Sequence, residues 1–441
     1  MFLLTYLLTA FLIPATQESH GHLAVRFQGG SITWEEFYLE LARRHRGKPL
    51  GRDALQFLID RELVEREAKA RKLAIPKKVV DSRIQAVKKQ LKANGKELFG
   101  YLRKRGLTIQ SFRKYIELSL LNESLVRQDL HFGKNDSISP AQIIVWRREK
   151  SRKHKVVTAP AKLPPGISAQ IGSKEFTLTD LGRVMARNLA KKDRDSILQQ
   201  MVAARILQLE ANKRQIKMTP KDLDQELERR KAEAASNPQY KKAKIGFLDI
   251  LKAQGRTMDD LKKGSAFQAQ LLAVHLGQRL FPMEFLEKEW ESHRELWMER
   301  LGPSRRLMKI DILGPPKRPM EKARALAEKI RKAAKTPSSF RMLARQYSED
   351  PRGKKLAGDF GFVHRKEEGF PPEILAKSFE LPTGQVSEVI ETPGQVSLLM
   401  VTSLKKAPPK TRMLKEIRAW LFRAWLRKKI KEANVEFLPF S

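Results

Sequence analysis

Two residues of opposite charge, Lys309 and Asp311, stand two apart in Arg306-Leu307-Met308-Lys309-Ile310-Asp311-Ile312-Leu313. The run reads as a strand, so both side chains project from one face. Asp350 and Ser397 are further polar residues in ordered surroundings. Asp350 closes Ser348-Glu349-Asp350 after an apolar helical pattern (Phe340, Leu343, Ala344, Tyr347), and Ser397 lies in an apolar strand-like run over 396–401. Groups of this kind can hydrogen-bond and polarise a substrate held in a dry pocket without forming a covalent bond. The motifs of other chemistries are missing. There is no phosphate-cradling P-loop, no G-x-S-x-G, and no pair of Cys or His at metal spacing. The eight histidines are scattered, and the chain has no cysteine. His154 lies in a basic run over 147–155 that could touch phosphates but reads as a solvated linker face.

The elements that must position these residues are legible over 340–401. The apolar helix is followed by a basic loop to Gly358-Asp359-Phe360-Gly361, then a short helix closing on Ser378-Phe379-Glu380-Leu381. A turn at Pro382-Thr383-Gly384 leads to strands expected over 386–391 and 396–401. These ordered blocks resemble the parvulin (PpiC, rotamase) family of peptidyl-prolyl isomerases, whose common pattern reads F-x-x-L-A-x-x-Y-S-x-D, G-G-D-L-G, A-F-x-L-x-x-G-x-V-S and T-x-x-G-x-H. The resemblance covers 306–404 and implies a small antiparallel sheet flanked by helices.

It also implies a site. Prolyl isomerisation rotates an amide across a barrier of ~20 kcal/mol and needs neither cofactor nor metal. The family's proline cup falls on Phe360, Phe370 and Ile374, with Thr392 at a matching threonine; read without the resemblance, all three cup residues are core packing. Asp350 falls where the family has Asp or Cys. The two histidines usual in the family are replaced: the first falls on Lys309 or Asp311 according to register, the second on Ser397. Asp311, Asp350 and Ser397 are therefore the candidate catalytic residues, with Ser397 and Asp350 able to form a hydrogen-bonded pair. His364 lies in a loop and matches neither histidine.

Upstream, a helical unit is written twice, 143 residues apart: Leu55 with Leu198, Ile59 with Val202, Leu63 with Ile206, Ile75 with Met218, Val80 with Leu223. Thr33 with Glu36 three residues on reads as a capping box. Gly106-Leu107-Thr108 and Gly255-Arg256-Thr257 read as helix stop followed by helix cap. The unit is similar to the N-terminal chaperone module of the SurA/PrsA family of exported foldases. The first sixteen residues are apolar and uncharged, short for a membrane span and suited to a signal peptide, though no Lys or Arg precedes them.

The expected class is α+β and multidomain: a leader (1–19), two helical modules (20–132 and 167–300) around a basic Pro-rich linker (133–166), a parvulin-like domain (301–407), and a C-terminal helix and strand (408–441) that pack on the helical modules. A net charge of +37 over 441 residues favours anionic or acidic partners. The expected partners are unfolded or nascent polypeptides with X-Pro bonds, and an anionic membrane surface as a further one; nucleic acid is not expected. The leading reading is an exported, periplasmic or cell-envelope isomerase and chaperone that assists the folding of secreted or outer-membrane proteins, with an uncleaved leader as the alternative that would tether it to the membrane. Loss of both histidines keeps open a non-catalytic holdase, and the charge alone a basic nucleic-acid or anionic-surface binder.

Overall fold

The computed structural model describes residues 23–104, 108–133 and 136–440. The leader and Gly106 lie outside the described residues. Contacts divide the chain into two compact units, one running to 276 and resuming at 426, the other spanning 277–425.

In the first unit each copy opens with a hairpin. Leu23–Phe27 pairs antiparallel with Gly30–Thr33, and Ile167–Ile171 with Lys174–Thr177. Thr33 and Thr177 then cap the helices Trp34–His45 and Leu178–Arg187, with Glu36 and Asp180 completing the capping boxes. The two copies share one core: Phe37, Leu41 and Leu63 meet Leu181, Met185, Val202 and Ile206. Their helices approach so closely that a Cβ on Gly182 would lie 1.9 Å from the Tyr38 carbonyl oxygen.

Beyond this shared core the duplication continues in two separate clusters. Helix Lys77–Ala93 recurs 143 residues later, at both ends, as Pro220–Ser236. Val80, Ile84, Leu102 and Phe112 form one cluster; their counterparts Leu223, Leu227, Leu251 and Leu261 form the other. Thr108 and Thr257 cap the following helices, and Gly255, with φ +64°, follows the helix Phe247–Ala253. Helix Ile109–Asp129 is continuous, whereas its counterpart breaks at Gly264 into Met258–Lys263 and Ser265–Leu280.

The basic run expected to be solvated linker is folded instead. Helix Pro140–Lys153 is capped by Ser139 and buries Trp146 against Val64, Ala68, Leu125 and Val126. Lys150 is buried and meets Asp129 at 2.9 Å, Lys153 and His154 meet Glu67 at 2.7 and 2.6 Å, and Arg147 meets Asp60 at 2.8 Å. Burial pushes the Glu67 carboxyl up, but hydrogen bonds from Lys153, His154 and Arg71 bring it down to about 2. The cations of this run neutralise carboxylates of neighbouring helices, which a count of charges along the chain does not reveal. The chain's last strand, Glu436–Phe437, pairs antiparallel with Leu23–Phe27.

The second unit holds a four-stranded antiparallel sheet in the order Asp359–Val363, Ser304–Leu313, Gln395–Lys405, Ile390–Thr392. Alternation along the two central strands divides its faces. Met308, Ile310, Ile312, Leu398 and Met400 pack on helices Met320–Ala333 and Pro337–Tyr347. Leu307, Leu399 and Val401 face Val363 and helix Pro372–Glu380. A further core joins Leu286, Trp290 and Trp297 to Met413, Leu414 and Ile417 of the helix Lys410–Glu432. The strand expected over 386–391 is displaced: the regular strand is Ile390–Thr392, and Val386 makes only an isolated bridge to Met400.

Candidate active site

The register of the central strands sets Asp311 opposite Ser397 and Lys309 opposite Leu399. All four therefore share the face opposite the two long helices. Ile390 is also opposite Ser397, which puts Thr392, two residues on, on that face too. Three polar side chains join there. Ser397 Oγ donates to Asp311 Oδ1 at 2.6 Å, and Lys309 Nζ lies 2.7 Å from Asp311 Oδ2. Lys309, Asp311 and Ser397 are all buried. A buried carboxylate with a cation on one oxygen and a hydroxyl on the other satisfies the rule that interior charge must be paired and hydrogen-bonded.

The apolar side is built from Phe360 and Phe370, whose rings meet edge-to-face with centroids 5.5 Å apart. Phe360 sits on the edge strand Asp359–Val363, and Phe370 precedes the helix Pro372–Glu380. The Lys309 ammonium lies 5.3 Å from the first centroid and 5.8 Å from the second, within cation–π range of both. The guanidinium of exposed Arg352, on the short helix Pro351–Lys355, lies 5.3 Å from the Phe360 centroid. A cleft of about 470 Å3 adjoins Phe370, lined also by Arg300, Arg365 and Lys366.

Other expected residues separate by position. Ile374 is fully buried among Leu307, Leu375 and Val401, a core position. Thr392 is buried, and its Oγ1 has no hydrogen-bond partner. Asp350 does not pair with Ser397. Its carboxylate caps the helix Pro351–Lys355, accepting from the Arg352 and Gly353 amides at 3.1 and 3.0 Å. The reason is local: Asp before Pro-Arg-Gly meets free amides two and three residues ahead. His364 Nδ1 is buried without a partner in the loop leading to Phe370. Lys309 is the residue whose part in the site sequence reasoning left undivided from that of Asp311. The alternation that put both on one face was the available signal, and the cross-strand register sets Asp311, and not Lys309, opposite Ser397.

Neighbouring pairs hold the frame. Glu349 receives Arg318 through both oxygens at 2.6 and 2.7 Å, accepts from the Leu313 amide at 2.7 Å, and meets Lys317 at 2.7 Å. Hydrogen bonds from Arg318 foremost hold its carboxyl down at about 2. Gly358, with φ +78°, accepts from the Lys309 amide at 2.9 Å, and a Cβ there would stand 2.9 Å from that of Ala344. Among the described residues no group of His, Cys, Asp and Glu is arranged to hold a metal ion.

Against known families, residues 306–405 match the PPIC-type PPIASE domain, and residues 35–126 match the SurA-like N-terminal domain. The second unit thus carries a parvulin-type domain. The chain, which joins that domain to a SurA-like one, is of the parvulin-type, SurA/PrsA-like kind. Foldase protein PrsA 2 of Bacillus anthracis is 30% identical over 92 residues, covering 21% of this chain and 32% of that protein. Foldase protein PrsA of Clostridium botulinum is 21% identical over 244 residues, covering 55% of this chain and 68% of that protein. The chain therefore spans about a third of the first relative's length and about two thirds of the second's. The solved structure of PrsA from Bacillus anthracis aligns over 55% of this chain and 100% of its own, at 19% identity and a TM-score of 0.29. A solved PpiC-type isomerase domain aligns over 24% of this chain and 96% of its own, at 25% identity and a TM-score of 0.22.

Proposed function

We propose that this protein is an exported peptidyl-prolyl cis–trans isomerase and folding chaperone that acts on unfolded polypeptides of the cell envelope. The observation that carries the reading is the Lys309–Asp311–Ser397 chain lying against Phe360 and Phe370 on one face of the parvulin-type sheet. Asp311 and Ser397 form a hydrogen-bonded pair where the family has two histidines. The proline ring packs on Phe360 and Phe370. Rotation of the amide ends its conjugation and changes the demands of its carbonyl oxygen and nitrogen; Lys309, oriented by Asp311, supplies a donor that needs no reorganisation at that moment. Asp350 and Thr392 border this site, Asp350 through the helix that carries Arg352, and Thr392 with an uncommitted hydroxyl. No cofactor takes part.

The helical modules of the first unit hold the client, and the positive field of the chain speeds encounter with acidic segments. Export rests on the apolar leader. Among the described residues no helix is long and apolar enough to cross a membrane. Attachment to an anionic membrane surface rests on the net charge of +37.

One observation favours the holdase reading: the Lys309 ammonium lies 5.3 and 5.8 Å from the centroids of the two rings on which a proline would pack. Replacing Lys309 with Met separates the readings. A donor role predicts slower prolyl exchange in the variant, on the order of tenfold or more. Faster exchange, or tighter binding of a proline peptide without exchange, identifies Lys309 as an obstacle and the domain as a binding module.

A further inference from the structure

In the first unit a cavity of about 220 Å3 is lined by Arg43, Arg44, Arg230 and Arg256, with Glu40 the carboxylate among its lining residues and Phe267 part of an apolar wall. Glu40 is already committed: it is buried, takes Arg44 Nε at 2.5 Å, and accepts from the Ser265 amide at 3.2 Å. Arg44 also reaches Gln200 at 2.6 Å. Arg230 donates to Glu226 at 2.8 Å and Gln270 at 2.7 Å, and its guanidinium lies 4.5 Å from the Phe267 centroid.

The other two cations make no ion pair. Arg43 has no carboxylate within ion-pair range among the described residues, and Arg256, though Asp260 and Glu40 lie near enough to act on its charge, has a buried Nε with no acceptor. Of the four guanidinium groups around this partly closed space, Arg44 and Arg230 are paired, and Arg43 and Arg256 keep donors with no acceptor. Burying such a donor is costly unless an acceptor fills the site. The apolar wall decides which acceptor. Inorganic phosphate requires donors on every side, whereas a carboxylate on a short apolar body places its oxygens on the arginines and its body on Leu261, Ala266 and Phe267.

We propose that this cavity binds a compact carboxylate carried on an apolar residue, such as the free C-terminal residue of a polypeptide, with Arg256 and Arg43 as its principal donors. The site lies in the helical unit and is independent of the prolyl-isomerase reading.

The test is calorimetric titration of the full chain with three probes: N-acetyl-phenylalanine, its C-terminal amide, and inorganic phosphate. The acid is expected to bind at least about tenfold more tightly than the amide, as loss of a charge-assisted pair implies. Arg256→Gln, which breaks no ion pair, is expected to fold as the parent does and to weaken the acid by about tenfold. Arg43→Gln serves as the second variant if Arg256→Gln alters the fold by circular dichroism. Equal binding of acid and amide, binding of phosphate alone, binding of the acid undiminished in both variants, or no binding at all overturns the proposal.

Discussion

At the scale of single residues, Asp311 carries the site, because it is the acceptor shared by Lys309 and Ser397. Asp311→Ala leaves the Lys309 ammonium buried without its carboxylate, an arrangement that costs about 3–5 kcal/mol. Ser397→Ala removes one hydroxyl from an acceptor that keeps its cation and costs about 1–3 kcal/mol. Urea unfolding followed through the second unit's tryptophans ranks the two, and an equal cost would show that Lys309 does not depend on Asp311. Glu349 gives a pH signature. Its carboxyl is held at about 2, below the ordinary value of 4.5, so ionised Glu349 stabilises the folded state fully above about pH 4.5, and that contribution is lost as pH falls towards 2. Glu349→Gln is expected to be less stable than the parent at pH 7 and to lose less further stability between pH 4.5 and 2. Parallel stability–pH curves would remove Glu349 from the acid response. The residue types of this site were legible in the sequence, and their pairing was not. Spacing put Lys309 and Asp311 on one strand face, but Ser397 was matched with Asp350 because only the cross-strand register reveals that Asp311 stands opposite Ser397.

At the scale of elements, one glycine fixes how two helices meet. Gly182 lets Leu178–Arg187 touch the backbone of Trp34–His45, and a Cβ there would lie 1.9 Å from the Tyr38 oxygen. Since backbone cannot yield as a side-chain tip can, Gly182→Ala is expected to destabilise the first unit by about 3 kcal/mol, read by chemical denaturation. A loss under about 1 kcal/mol would mean that the two copies do not share one rigid core. Helix starts were the most legible elements, since Thr33, Thr108 and Thr257 all cap where they stand. The turn after Pro382 misled the strand assignment: Val386 is apolar and in phase, yet Gly384 and Ser387 take the Val401 and Leu399 carbonyls without forming a regular strand. Helix Pro140–Lys153 was hidden for a different reason. Its basic residues neutralise Glu67, Asp129 and Asp60, residues distant in sequence, so composition alone read it as solvated.

At the scale of the whole molecule, the first unit is closed by residues from the end of the chain. The Gln28 amide donates to the Ala433 carbonyl at 2.7 Å, the Leu438 amide to the Ala24 carbonyl at 2.9 Å, and the Phe440 ring meets Trp34 with centroids 4.9 Å apart. A chain truncated after Glu432 loses these contacts and is expected to lose about 2–4 kcal/mol in the first unit. Prolyl exchange, which the proposed function assigns to the second unit, is expected to stay at the parental rate, and loss of exchange in a truncated but folded chain would contradict that assignment. The duplication was visible as an offset of 143, while the merging of both copies' hairpins into one core was not, because an internal repeat fixes likeness rather than contact. The most direct measurement is prolyl cis–trans exchange by NMR on an unphosphorylated X-Pro peptide, comparing the full chain with an Asp311→Asn, Ser397→Ala double variant. Exchange accelerated by the parent and lost in the folded variant is the expected result; no acceleration by the folded parent would contradict the isomerase reading and leave a client-binding module in its place.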